Sequence, residues 1–236
     1  YNALHTDAHF ELNKVFDDFS SDPEQWVAIV TGAGDKAFCA GNDLKWQAAG
    51  GKRGWDTGGF AGLTSRFDCD KPIIAAVNGV AMGGGFEIAL ACDLIIASEN
   101  ATFALPEIRS GTVADAASIK LPKRIPYHVA MDLLLTGRWF VAEEAYRWGI
   151  VKEICAPDQL LAKAWDLARV LESGPPLVYA AIKEVVREAE NMRFQDALNR
   201  ITKRQMPTVD KLYSSEDQLE GARAFAEKRD PVWKGK

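Results

Sequence analysis

The chain has 236 residues, a formal net charge of −5 and a hydrophobic fraction of 47%, values typical of one large globular domain or of a domain with an appendage. No apolar run reaches the length of a transmembrane helix, no signal peptide is recognisable and no long basic block is present, so we expect neither a membrane nor a nucleic-acid partner. The four cysteines form no CxxC pair and the three histidines stand apart along the chain, which predicts reduced thiols, a cytoplasmic location and no metal site.

The first predicted element is an amphipathic helix over residues 8–19. Its apolar stripe consists of Ala8, Leu12, Val15, Phe16 and Phe19. A buried strand follows at residues 26–30 and leads into a Gly-x-Gly-x-x-Ala sequence at residues 32–37. This sequence matches a dinucleotide-binding fingerprint, but that site requires a helix to open on the glycines. Because an extended segment follows instead, we expect no nucleotide site here.

A second turn stands at residues 37–45, where a short apolar segment enters a glycine turn and a helix begins. The backbone amide of Asn42 is therefore a candidate donor at a helix N-terminus. Asp43 is of the residue type that caps helices at this position. Taken alone, the stretch is equally explained as a surface turn with a capping aspartate.

The next stretch, residues 50–59, is rich in glycine and charge and contains Trp55. Its composition predicts a loop of the kind that often borders a binding site. A helix is expected to follow at residues 60–67.

The glycine triplet Gly83–Gly85 follows an apolar strand predicted at residues 72–77 and precedes a helical pattern. Glycines at a strand-to-helix junction let a ligand approach the backbone, where unpaired N–H groups and the helix dipole favour negative charge. Glu87 falls about one turn into the helix. An oxyanion held by amides beside a carboxylate suits acyl chemistry. The alternative is a tight turn before a buried helix, with Glu87 on the surface.

Two more strands are predicted at residues 94–97 and 102–105, and Glu107 follows them. Helical patterns dominate from residue 129 onward, interrupted by a strand at residues 150–154. The Ser-Gly-Pro-Pro run that begins at Ser173 is the clearest break in the helical pattern of the chain. The order of elements predicts an α/β core followed by a helical appendage, with the boundary at residues 173/174.

Together these stretches resemble the crotonase (enoyl-CoA hydratase/isomerase) superfamily. The matching pieces are residues 2–4, 37–45, 71–79, 83–93, 103–111, 135–137, 142–151 and 225–229. They cover essentially the whole chain in order, so the resemblance is specific. Residues 58–64, 147–151 and 225–235 are similar to the carnitinyl-CoA dehydratase branch in particular.

The resemblance implies an α/β fold of the crotonase-like (ClpP/crotonase) type, a spiral of repeated ββα units with a C-terminal helical trimerisation region. The core is then residues 1–173, without the N-terminal hairpin of the family, and the helical region is residues 174–236. The implied partners are an acyl-CoA thioester and further copies of the chain, as a homotrimer or a homohexamer. CoA is part of the substrate, so no separate cofactor is implied.

The resemblance also implies the roles of individual residues. The amides of Asn42 and Gly84 would hold the thioester carbonyl as an oxyanion hole, and Glu87 and Glu107 would be the catalytic pair. The residues implied in CoA or substrate binding are Ala40, Asn42, Asp43, Leu44, Lys45 and Gly84. Two amides stabilise the enolate that forms at the α-carbon, and one such donor is typically worth about 3 kcal/mol. Adding or removing water at the α,β bond then needs an acid and a base, and the sequence leaves open which glutamate is which.

Residues 111–118 depart from the family pattern, because most hydratases carry a turn rich in proline and glycine there and this chain keeps only the first glycine. Asp115 adds a third carboxylate eight residues after Glu107. An aspartate also occurs at the matching position in carnitinyl-CoA dehydratases and in dienoyl-CoA isomerases. The sequence is compatible with Asp115 as a modulator of the glutamate pair or as the N-cap of the next helix.

The expected function is therefore an acyl-CoA lyase of the enoyl-CoA hydratase or carnitinyl-CoA dehydratase type. One alternative is an enoyl- or dienoyl-CoA isomerase of the same fold, in which the carboxylates move a proton along the acyl chain without water. Another is an inactive acyl-CoA-binding or scaffold protein. The presence of both Glu87 and Glu107 counts against the inactive reading.

Overall fold

The structure is a computed structural model that describes residues 1–236. It divides into two compact units, the first formed by residues 1–68 and 73–168 and the second by residues 69–72 and 169–236. No helix is long and apolar enough to cross a lipid bilayer. The boundary predicted at residues 173/174 stays a prediction.

The first unit consists of repeated strand–strand–helix segments. The strands are β1 (Ala28–Thr31), β2 (Ala37–Cys39), β3 (Ile73–Val77), β4 (Val80–Met82), β5 (Leu94–Ser98), β6 (Thr102–Ala104), β7 (Phe140–Val141) and β8 (Glu153–Cys155). The helices up to residue 147 are α1 (Thr6–Ser21), α2 (Leu44–Ala48), α3 (Gly84–Ala91), α4 (Glu107–Ser110), α5 (Asp115–Arg124), α6 (Tyr127–Thr136) and α7 (Ala142–Arg147). α8 (Leu160–Glu172) begins in this unit.

Each repeat sends one strand to each of two sheets. The first sheet has the order β1-β3-β5-β8 and is parallel throughout. The second has the order β2-β4-β6-β7, and only its last pair is antiparallel. This is the ββα spiral that the resemblance implies. The repeat is visible in the strand order although the sequence itself shows no repeat.

The core lies around the central strands. All five residues of β3 are buried, as an apolar run in the middle of a parallel sheet requires. The rings of Phe86, Phe103 and Phe140 pack together with centroids 5.2 to 5.6 Å apart. Since Phe86 belongs to α3, this cluster fixes the helix that begins at the glycine triplet.

The second unit is helical. It contains the end of α8, then α9 (Pro176–Ala189), α10 (Phe194–Thr202), α11 (Pro207–Tyr213) and α12 (Asp217–Glu227). Ala181, Met206 and Val209 form its buried apolar centre. The buried carboxylate of Glu184 accepts hydrogen bonds from the backbone N–H and the hydroxyl of Thr208, which ties α9 to α11.

Three expectations from the sequence are wrong in detail. The helix expected at residues 60–67 is a three-residue 3₁₀ turn, Phe60–Gly62, in which Ala61 takes a φ of 55°. The strand directly before the glycines is the short β4, not the longer strand at 72–77. The strand expected at 150–154 begins three residues later, at Glu153.

Candidate active site

Two glycine turns meet at the centre of the first unit. Gly41, with a φ of 80°, ends the β2 segment, and a β-carbon built on it would lie 3.1 Å from the amide nitrogen of Gly84. Only glycine combines this φ with so close an approach of another backbone. The structure thus brings the 41–42 turn against the start of α3, where the sequence places both candidate oxyanion donors.

The N–H groups of Asn42 and Gly84 donate to no backbone carbonyl. Leu4 pairs with Asn42 in a parallel bridge. The Leu4 N–H donates to Gly41 O, and Leu4 O accepts from the Asp43 N–H, so the Asn42 N–H points away from this bridge. In α3 the first helical bond is donated by Glu87 to Gly83 O. The N–H of Gly84 therefore precedes the hydrogen-bond ladder and is one of the helix's free donors. That the two amides share one acceptor stays a prediction.

Glu107 lies directly beside the glycine turn. Gly83, with φ 56° and ψ −127°, carries no side chain, and a β-carbon built there would lie 2.7 Å from Oε1 of Glu107. The other carboxyl oxygen, Oε2, is buried without a hydrogen-bond partner. A buried polar atom without a partner is costly, so it is expected where a ligand completes the bonding.

Glu87 is buried, with an exposed fraction of 7%, so the alternative that places it on the surface is wrong. Its Oε1 accepts a 2.9 Å hydrogen bond from the N–H of Ala117, and a second backbone contact comes from Ala116. Both donors belong to the first turn of α5, so this carboxylate occupies the N-terminus of that helix. The α5 turn therefore holds Glu87 from one side while α3 presents it from the other.

The two glutamates and Asp115 influence one another. Burial raises the pKa of Glu87, the amides of Ala117 and Ala116 oppose this, and Asp115 adds to the rise. Burial also raises the pKa of Glu107, and repulsion from Glu87 and Asp115 raises it further. Asp115 itself is exposed. Like charges this close make the protonated form of at least one carboxyl easier to keep near neutral pH.

Asp115 is not the N-cap of its helix. Ala114 occupies the N-cap position, and Asp115 is the first residue of α5. The turn that replaces the glycine-rich family sequence ends on Ala114, whose φ of −77° any residue adopts. The capping explanation of Asp115 is thus wrong, and its role as a modulator of Glu87 and Glu107 stays a prediction.

The implied CoA-binding stretch runs from the end of β2 into α2. The Asp43 carboxylate accepts from the N–H groups of Lys45 and Trp46, so its predicted capping role is confirmed. Leu44 is exposed by 56% and Lys45 is exposed too, whereas Ala40 is half-buried and donates to Tyr1 O. No cluster of three potential metal-ligating side chains occurs. A role of these residues in CoA binding stays a prediction.

Sequence reasoning missed the residues that bring Phe60 to the site. A β-carbon on Gly84 would lie 2.6 Å from two ring carbons of Phe60, so this ring covers the α-carbon beside the candidate oxyanion donor. His9 and Asn13, both buried on α1, hold the turn through bonds from Ala61 N–H to His9 Nδ1 and from Gly58 N–H to Asn13 Oδ1. The one available signal was two polar residues interleaved with the apolar stripe of the first helix.

Comparisons with known proteins identify relatives along the whole chain. The family model for enoyl-CoA hydratase/isomerase matches residues 1–236. A carnitinyl-CoA dehydratase of Citrobacter koseri is 48% identical over 238 residues, covering 100% of this chain and 91% of that protein. The corresponding protein of Salmonella enteritidis is 47% identical with the same coverage.

Solved structures give the same result. An enoyl-CoA hydratase of Mycobacterium marinum superposes with a TM-score of 0.89 at 38% identity, covering 99% of this chain and 90% of that one. A carnitinyl-CoA hydratase of Mycobacterium avium superposes with a TM-score of 0.75 at 38% identity and the same coverage. The chain therefore belongs to the enoyl-CoA hydratase/isomerase family.

Proposed function

We propose that the chain is a hydro-lyase that adds or removes water at the α,β bond of a CoA thioester. The observation that carries the proposal is the position of Glu107 against Gly83, one residue before the free amide of Gly84, with buried Glu87 one turn further along α3. A carbonyl held at Gly84 thus has two carboxyl groups beside it. The names of the relatives, carnitinyl-CoA dehydratase and enoyl-CoA hydratase, describe this reaction class.

The amides of Asn42 and Gly84 act as the oxyanion hole. As water adds to the β-carbon, negative charge moves through the α-carbon to the thioester oxygen, and two fixed donors stabilise that enolate without reorganising. The location of Gly84 at the N-terminus of α3 adds the helix dipole to the same effect. CoA passes along residues 40–45, with Ala40, Asn42, Asp43, Leu44 and Lys45 as its contacts.

Glu87 is the base and Glu107 the acid in the hydration direction. Hydrogen bonds from two α5 amides favour the charged form of Glu87, whereas Glu107 has the bond from its own backbone amide and its Oε2 has no partner. Glu87 accepts a proton from the attacking water, whose oxygen bonds to the β-carbon, and Glu107 delivers a proton to the α-carbon. In dehydration Glu107 removes the α-proton and Glu87 protonates the departing hydroxyl.

Isomerisation is the second candidate function, because Asp115 adds a third carboxylate that influences both glutamates. In that reaction one carboxyl removes a proton from the acyl chain and another returns a proton further along, with no gain of water. An inactive member of the family is the weakest candidate, since the glutamate pair and the Gly84 amide are all present.

A panel of CoA thioesters tests the proposal. The purified chain is incubated with crotonyl-CoA, crotonobetainyl-CoA and an unconjugated 3-enoyl-CoA, and products are weighed by mass spectrometry. With at least one conjugated thioester, we expect the product mass to rise by about 18 mass units, which is the one water added by acid–base catalysis. Isomerisation of the 3-enoyl thioester without any gain of water would replace the lyase with the isomerase, and inertness towards all three would favour the inactive reading.

We also propose that the chain assembles as a homotrimer or as a dimer of trimers. The support is an unusual exposure of apolar side chains in the helical second unit, among them Phe225 at 87% and Val186 at 67%. Sedimentation equilibrium decides this, because a monomer at micromolar concentration would contradict it.

A further inference from the structure

Three aromatic rings form a cluster beside the candidate oxyanion donor. Phe60 lies on the α-carbon of Gly84, the His9 ring packs on Phe60 with a centroid distance of 4.3 Å, and Trp55 meets both. The Trp55 centroid is 6.5 Å from that of Phe60 and 6.1 Å from that of His9, in edge-on geometry. His9 is the buried member of the cluster and Trp55 the accessible one, with 43% of its surface exposed.

The backbone that carries this cluster is held in an uncommon conformation. Ala61 has a φ of 55°, which a residue with a side chain rarely adopts, and its N–H donates to His9 Nδ1 over 3.0 Å. Strained backbone persists where surrounding contacts fix it, and it concentrates at ligand sites. The ring of Phe60 is therefore placed against Gly84 by contacts with α1 and not by local helix propensity.

The chemistry of the rings suits a cation without hydrogen-bond donors. Burial, together with the neighbouring His5, lowers the pKa of His9, so the ring is neutral at physiological pH. The carboxyl group of Glu107 lies against Gly83, the residue next to the one that Phe60 contacts. The faces of tryptophan and phenylalanine attract cations, and quaternary ammonium groups, which cannot donate hydrogen bonds, are recognised in this way.

We propose that Trp55 and Phe60 form the subsite for a quaternary ammonium group at the far end of the acyl chain, with Trp55 as the specificity-determining residue. This inference rests on the proposed function, since it requires the thioester carbonyl to be held at Gly84. Phe60 lies against Gly84 and Trp55 lies next to Phe60, so both rings are close to an acyl group whose carbonyl is held at Gly84. The acyl group in the names of the carnitinyl-CoA relatives ends in such a cation.

The decisive substrates differ only in charge. Crotonobetainyl-CoA carries a trimethylammonium group, and 5,5-dimethylhex-2-enoyl-CoA carries a tert-butyl group of the same shape. We expect the wild-type chain to prefer the cation in kcat/KM. Trp55→Leu should lower kcat/KM for the cation about 5- to 30-fold, the range of a cation–π contact from partly to fully desolvated, mainly through KM. The loss on crotonyl-CoA should be smaller than the loss on the cation, and Trp55→Phe should keep most of the preference.

Trp139→Leu is the matched control, because Trp139 has a similar exposure of 48% but no ring contact with the cluster. It should leave kcat/KM unchanged for all three substrates. A second measurement needs no variant: saturated butyrobetainyl-CoA and its tert-butyl isostere are compared as competitive inhibitors of crotonyl-CoA hydration by the wild-type chain. The cation should bind more tightly.

The outcomes separate the two proposals. An equal loss on the cation and on its neutral isostere in Trp55→Leu, or equal inhibition by the two saturated thioesters, would show that the rings form only an apolar wall and would overturn the subsite. A wild-type chain that hydrates crotonyl-CoA but not crotonobetainyl-CoA would overturn the subsite and leave the lyase intact. Inertness towards every thioester would instead overturn the proposed function.

Discussion

The carboxylate of Glu107 lies against the α-carbon of Gly83, at a place where any side chain on residue 83 would collide with it. Glu107 starts α4 after the β6 strand, and Gly83 precedes α3 after the neighbouring strand β4. The two strands are hydrogen-bonded in parallel, so their carboxyl ends lie at the same edge of the sheet. This edge is where the Gly84 amide, Glu87 and Glu107 come together.

Gly83→Ala should abolish most of the lyase activity. The new methyl group would displace the Glu107 carboxylate, and the φ of 56° with ψ of −127° would strain any residue other than glycine. The cost in the free energy of unfolding should be about 1–3 kcal/mol. Steady-state kinetics and denaturant unfolding on the same samples measure the two effects.

Gly149→Ala is the control for strain without collision. Gly149 also has a positive φ, of 75°, but a β-carbon there meets nothing within 4 Å. It should lose stability and keep its kcat. If both variants lost activity in proportion to their stability, the contact between residues 83 and 107 would not matter to the reaction.

Glu87→Gln and Glu107→Gln should each lower kcat by about 10²- to 10⁴-fold, the usual effect of removing a general acid or base. Both variants keep the shape of the side chain, so circular dichroism and binding of a CoA ligand should match the wild-type chain. Glu99→Gln is the control and should be fully active, because Glu99 is exposed and is not one of the candidate site residues. Turnover near the wild-type rate in either site variant would remove that glutamate from the mechanism.

The same two glutamates should make the protein less stable as pH rises. The pKa of each is raised in the folded state, so the folded chain holds these protons more tightly than the unfolded chain does. This contribution is complete below the ordinary glutamate pKa of about 4.3 and is lost as pH rises through the folded value. Glu107→Gln should therefore gain stability relative to the wild type as pH increases.

Urea unfolding measures the difference in the free energy of unfolding between Glu107→Gln and the wild type. It is carried out at a fixed protein concentration and at several pH values from about 4, near the ordinary glutamate pKa, to about 8. A difference between variant and wild type that stays constant over the window would mean that burial does not raise the pKa of Glu107.

The sequence predicted the elements whose signals are local. A capping aspartate before α2, a glycine triplet before α3 and an apolar run in β3 each report their own backbone, and all three are where they were expected. Glu87 and Glu107 were paired through the resemblance to the family, and the structure adds that the strands before them, β4 and β6, are parallel neighbours.

The missing parts depend on contacts between distant residues. The turn at Phe60–Gly62 has an apolar, helix-like sequence, but two tertiary hydrogen bonds override that propensity. His9 accepts one from the Ala61 N–H, and Asn13 accepts the other from the Gly58 N–H just before the turn. On α1, Val15 was expected in the buried stripe and is 53% exposed, whereas His9 and Asn13 are buried. A hydrophobic pattern cannot identify polar residues that are buried because a loop far along the chain bonds to them.

Asn13→Ala should destabilise the first unit. The amide oxygen accepts from Gly58 N–H and from the Arg66 guanidinium, and Asn13 is 5% exposed. Leaving a buried donor unpaired costs about 1–3 kcal/mol, which denaturant unfolding detects. Asn199→Ala on the exposed face of α10 is the control and should change the free energy of unfolding little. Equal effects of the two substitutions would mean that the hydrogen bonds of the Asn13 side chain contribute nothing to the free energy of unfolding.

Asp115→Asn should shift the acid limb of the pH–rate profile to lower pH while leaving the maximum close to that of the wild type. Asp115 raises the pKa of both Glu87 and Glu107 by repulsion, so removing its charge lets the base lose its proton at lower pH. Because Asp115 is exposed, salt screens this repulsion, and the difference between variant and wild type should shrink at high ionic strength. Profiles of kcat/KM for a conjugated enoyl thioester at low and high salt provide the measurement. An unchanged acid limb would show that Asp115 does not act on the pair, and complete loss of turnover would mean that Asp115 moves a proton itself, as an isomerase mechanism requires.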